Sequence, residues 1–229
     1  VDFAVPHIPL STTACLLLAT SLCHSEAAGE TTPQISVGLY DYSAIRPALI
    51  KELSLGAEAT FRRAGIEIHW RYFQCTVRCN PVGEPYPDIG PLISVAILPE
   101  SMSRKVASNT REFGLATGTG GVGVPTSAYV FLDRVREFAD AEDAPWIPIL
   151  AKIIAHEVGH LLLGNDCHSG SGIMRAHWRS GEVRQALMGD LLFAPREAEM
   201  MRDDLRRRIA LCPDSACLPN RSAMKPSSP

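Results

Sequence analysis

The chain has 229 residues, 46% of them hydrophobic and 21% charged, with a formal net charge of −3. This balance excludes a disordered polyelectrolyte and suits one domain of ordinary size with short extensions. The weak negative charge argues against nucleic acid and against an anionic membrane surface as partners.

Near the start, Thr13 to Leu22 is a short apolar run followed by small residues at Ser25, Ala27 and Ala28. The run is too short to span a bilayer as a helix, and its layout is that of a secretory signal peptide cleaved near Ala27 or Ala28. No Lys or Arg precedes it, and the alternative is a buried first helix. The expectation is a signal peptide over 1–27, a single folded domain over 28–212 and a disordered Ser- and Pro-rich tail over 213–229, with the protein periplasmic or secreted. No other stretch reads as a membrane span. Of seven cysteines, Cys15 and Cys23 would leave with the signal. Cys75/Cys79 and Cys212/Cys217 then form the simplest two disulfides, with Cys167 left over, as suits an oxidising compartment.

Gln34 to Asp41 alternates and reads as a strand. Ala44 to Ala64 carries Ile45, Leu49, Leu53, Ala57 and Phe61 at helical spacing, and Gly65 ends that helix. Ile66 to Tyr72 is a second strand. Cys75 to Pro91, rich in Pro, Gly and Asn, is a loop. Leu92 to Leu98 is a third strand and Ala128 to Leu132 a fourth. Between them lies a polar, Gly-rich stretch. Its Gly118-x-Gly120-x-x-Gly123 spells a dinucleotide fingerprint but is followed by Pro125 and a strand, so it reads as a loop. Pro145 to Leu163 and Pro195 to Leu211 are helices, the second with Pro in its first turn. This order predicts an α+β fold, one sheet backed by helices around a single core.

The chemistry lies in His156-Glu157-Val158-Gly159-His160. Two histidines four residues apart on a helix share one face and can bind one ion. Glu157 projects beside that ion, placed to accept a proton from a metal-activated water. The flanks are apolar, and a buried helix does not carry two His and a Glu without partners. A catalytic zinc needs a third protein ligand and an open position. A turn at Gly164 can return His168 to the ion. Asp166, Cys167, His177, Glu197 and Glu199 are the other candidates. Met174, after Ser169-Gly170-Ser171-Gly172-Ile173, sits in a tight turn that offers an apolar side chain.

Taken together, His156-Glu157-x-x-His160, Gly164, His168 and Met174 resemble the metzincin metallopeptidases. Gly172-Ile173-Met174-Arg175-Ala176-x-Trp178 is similar to the closing run of predicted bacterial exported proteins of this type. The resemblance implies a zinc-dependent endopeptidase acting on peptide or protein substrates. It assigns one Zn2+ to His156, His160 and His168, the general base to Glu157, and an apolar floor under the ion to Met174. It implies a mixed sheet of about four to five strands backed by two helices, with a helical C-terminal part. The fourth strand of that clan binds extended peptide along an open edge, which assigns Tyr129, Val130, Phe131 and Leu132 to the substrate. Here three residues, rather than the clan's two, stand on each side of Gly164. Asp166 therefore falls at the usual distance from His156, whereas His168 keeps step with the displaced glycine. The rival is a zinc-stabilised binding protein without turnover. The presence of Glu157 favours catalysis.

Overall fold

β1 (Gln34–Asp41) carries Ile35, Val37 and Leu39 on one face, all buried, and lies between two parallel neighbours. These are β2 (Glu67–Cys75) and β4 (Leu92–Leu98). Outside β2 runs β3 (Cys79–Val82), antiparallel, and Cys75 and Cys79 are joined by a disulfide. Beyond β4 come β6 (Ser127–Phe131), parallel to β4, and β5 (Gly114–Thr117), antiparallel to β6. The result is a mixed six-stranded sheet in the order β3-β2-β1-β4-β6-β5 within an α+β fold. The structure is a computed structural model and describes residues 31–83, 91–107, 112–118, 126–164 and 167–211. The expected signal peptide, tail and Cys212/Cys217 bridge lie outside these residues, as do Asp166, Gly120 and Gly123.

α1 (Pro47–Arg63) presents Ile50, Leu53, Ala57 and Phe61 to the core, a stripe of three- and four-residue steps. Gly65 follows with φ 72°, a left-handed turn that glycine adopts without steric cost. α4 (Trp146–Leu163) packs across α1, and most of its circumference is buried. By composition alone α4 could cross a membrane, but 78% of it is buried inside the fold. A helix apolar all round belongs either in lipid or at the centre of a core, and here it is the second. Lys152 on α4 is only 4% exposed and donates to Thr60 Oγ1 of α1 at 2.8 Å.

The remaining helices are α2 (Glu100–Val106), α3 (Leu132–Ala141), α5 (Ser180–Met188) and α6 (Pro195–Leu211). Two arginines of α6 reach beyond their own helix. Arg202 donates to Ala64 O at 2.7 Å and Arg208 to Leu161 O at 2.7 Å. They satisfy carbonyls at the ends of α1 and α4, which have no partner within their own helices.

Three expectations change. The stretch after Cys75 is a hairpin rather than a plain loop. The polar stretch before Ser127 contains α2 and β5. Most consequentially, Tyr129, Val130, Phe131 and Leu132 do not form an open edge. β6 is paired on both sides, Tyr129 with Ala96 and Leu115, Val130 with Ile97 and Gly114, and Leu132 already begins α3. The edge belongs to β5, a strand of four residues that exists through its pairing with β6.

Candidate metal centre

α4 ends at Gly164, whose N–H donates to His160 O at 2.8 Å and whose φ of 110° and ψ of 151° suit glycine alone. The chain breaks away sharply there and comes back as residues 167–174. Ser169 N–H donates to Met174 O at 2.9 Å, which closes this return into a loop. The loop is anchored in turn, since Ile173 N–H donates to Leu192 O at 2.9 Å. Arg175 pairs with Glu182 in the first turn of α5 at 2.6 Å, and Glu182 also accepts the Arg179 N–H at 2.9 Å.

This local folding brings His156, His160 and His168 together, one ligand atom from each lying within 4.8 Å of the others. His156 Nδ1 lies 2.7 Å from Ile173 O and, as the donor to that carbonyl, leaves Nε2 with its lone pair. The Trp178 indole N–H reaches the same carbonyl at 3.3 Å, and its ring stands edge-on to His156. His156 Nε2 and His160 Nε2 face each other at 3.0 Å. Two imidazole nitrogens on a tetrahedral zinc lie about 3.3 Å apart, given zinc–nitrogen bonds of about 2.05 Å. The His156–His160 separation is near that spacing, and the three histidines together could hold a metal ion. Burial pushes the His156 imidazole down to about 4, the Ile173 carbonyl opposes that shift, and the neighbouring His160 and His168 add to it. The ring is neutral at pH 7, the form that binds metal.

Met174 is fully buried beneath α4. A Cβ at Gly159, between the two helical histidines, would stand 2.6 Å from the Met174 sulfur and 2.9 Å from Phe193. Only a residue without a side chain lets this floor rise so close to the helix.

Glu157 packs against β5, with its Cδ 2.6 Å from where a Cβ on Gly114 would lie, and is 5% exposed. Burial above all, and then the charge of Glu112, raise its carboxyl to about 8. A carboxyl tuned near neutral pH is suited to taking and returning a proton.

Among the described residues, the other third-ligand candidates stand elsewhere. Cys167 turns its thiol to Leu163 O at 3.1 Å, His177 and Glu199 are exposed, and Glu197 accepts the Ala194 N–H at 2.7 Å ahead of α6. The Ile173 carbonyl and Gly114 escaped sequence reasoning. A backbone acceptor carries no residue signature, and a glycine in a four-residue strand reads as loop.

No protein-family model and no curated protein matches the chain. Among solved structures, the crystal structure of archaemetzincin from Methanopyrus kandleri is 15% identical, with a TM-score of 0.45. That match covers 76% of this chain and 97% of the other. The solution structure of TM1509 from Thermotoga maritima is 12% identical over 79% of this chain and 98% of its own, with a TM-score of 0.33.

Proposed function

We propose that the chain is a zinc-dependent peptidase of the metzincin type that cleaves peptide bonds within protein substrates. The observation that carries this reading is the convergence of His156, His160 and His168, with Glu157 buried one residue along the same helix. When bound, zinc would polarise the scissile carbonyl and make a water acidic enough to lose a proton near neutral pH. His156, His160 and His168 would hold the ion, with the Ile173 carbonyl fixing the His156 ring. Glu157 would accept the proton of the attacking water and return it to the leaving amine. Met174 would keep the floor of the site apolar and closed to solvent. β5, with its outer side unpaired among the described residues, offers main-chain groups to an extended peptide. Export, expected from the run over 1–27, is compatible with the Cys75–Cys79 disulfide.

Metal analysis of the purified chain beside a cleavage assay on an unfolded protein substrate tests this. Wild type should hold about one zinc per chain. Glu157→Gln should keep the zinc and lose cleavage by about 10²–10⁴-fold. His168→Ala should lose zinc, whereas Asp166→Ala should retain it. A chain that holds no zinc refutes the site. A chain that holds zinc and cleaves nothing is the binding protein without turnover.

A further inference from the structure

Gly114 opens β5 and is buried against α4. A Cβ on it would lie 2.6 Å from both Cδ and Oε1 of Glu157 and 2.7 Å from Cγ. These distances are far inside van der Waals contact. The backbone at Gly114 is ordinary extended strand, outside the left-handed region where conformation demands glycine. What requires glycine here is space, and the group that occupies the space is the carboxylate.

The strand has little freedom to retreat. Gly114 is in register with Val130, and Phe131 N–H donates to Phe113 O at 2.8 Å immediately before it. Phe113 packs against Phe138 of α3 with ring centroids 4.8 Å apart. Arg134, also on α3, donates to Glu112 O at 2.8 Å and to Ala107 O at 2.6 Å. Three neighbouring residues thus tie the start of β5 to β6 and α3. A methyl group at position 114 would meet a fixed backbone on one side and the tip of a jointed side chain on the other. The side chain yields first.

We propose that Gly114 is a positioning residue for Glu157. Its bare Cα lets the edge strand lie directly on the carboxylate, and that contact holds the carboxylate in the orientation in which it acts as base. The proposal rests on the peptidase reading above. It adds that the strand offered to the substrate also sets the position of the base.

The test is a cycle of four proteins: wild type, Gly114→Ala, Glu157→Asp and the double variant. Asp withdraws the carboxylate by one methylene, away from the added methyl. All four should hold equal zinc, because neither residue is a ligand. In the zinc-loaded state Gly114→Ala should lower kcat by about 10- to 100-fold, the scale set by displacing a reacting group by about 1 Å. KM should change by less than about 3-fold, because substrate binding along β5 is untouched. Glu157→Asp should cost markedly less kcat in the Gly114→Ala background than in wild type. In metal-free protein, thermal melts should show a loss in Tm from Gly114→Ala that shrinks once Asp replaces Glu157. Melts in which the two substitutions add without coupling overturn the contact, whatever the activity. An active wild type whose kcat survives Gly114→Ala overturns the positioning role alone. A zinc-loaded wild type without turnover overturns the peptidase reading on which that role rests.

Discussion

His156 and Glu157 are chain neighbours, and burial acts on their charges in opposite senses with one result. It lowers the imidazole to about 4 and raises the carboxyl to about 8, so in metal-free protein both are neutral at pH 7. A group with a raised folded pKa stabilises the fold fully below its unfolded value, here 4.5, and loses that contribution as pH rises through about 8. Metal-free wild type should therefore lose stability relative to Glu157→Gln as pH rises from about 5 to about 8. The slope should not exceed about 1.4 kcal/mol per pH unit, that of a single proton. His156, whose folded value is depressed, loses its contribution in the other direction, as pH falls through about 4, and it cancels in this comparison. Denaturant titrations in chelator across that range measure the difference, and a flat one refutes the burial of an ionisable Glu157. The motif itself was legible because its logic is local: His156 and His160 share a helix face by spacing alone, and Gly164 announces the break that returns His168. Of what holds the motif, only Met174 was pointed to, through the resemblance. Gly114, the Ile173 carbonyl and Phe193 act through packing that no local pattern in the chain shows.

At the scale of elements, the same division recurs. β1, β4, α1, α4 and α6 were readable because each buries its own periodic apolar face. α3 also has such a face, Leu132, Val135 and Ala139, but it follows β6 with no turn residue between them, so the strand pattern hid its start. α5 is short and polar, and β5 has no alternation of its own. Missing β5 shifted the open edge onto β6 by one strand. The backbone of β5 supports a sharper expectation. Phe113 O bonds β6, and main-chain groups alternate along a strand, so Leu115 and Thr117 also face β6 while Gly114 and Ala116 face outward. Ala116→Pro removes an outward N–H and no ladder bond. Its expected effect on peptide cleavage is a KM several-fold higher, with zinc content retained and Tm little changed. Leu115→Pro, which removes an inward N–H, should instead lower Tm. If Ala116→Pro cleaves with wild-type KM, substrate does not pair with β5.

Across the whole molecule, the candidate metal centre adds a second tie between parts that the hydrophobic core already packs together. His156 and His160 belong to α4, the innermost helix, whereas His168 is exposed on a loop fastened to Met174, Leu192 and α5. An ion held by all three ties the C-terminal segment to the sheet-backing helix. Because the three imidazoles converge only in the folded chain, zinc should bind the native state far more tightly than the unfolded one. Stability then rises with zinc activity, by about 4 kcal/mol at a thousand times the dissociation constant. For a domain of this size that corresponds to a rise in Tm of roughly 8–16 °C. His168→Ala separates the two sources of cohesion. Its side chain is exposed and adds little to the metal-free core, so the metal-free variant should melt close to metal-free wild type. With one of three ligands gone, zinc at the same concentration should raise its Tm by less than half as much. Melts of both proteins in chelator and in buffered zinc decide this. An equal zinc-dependent rise in the two would mean that His168 does not hold the ion and that the loop from residue 167 to Met174 is joined to α4 by packing alone.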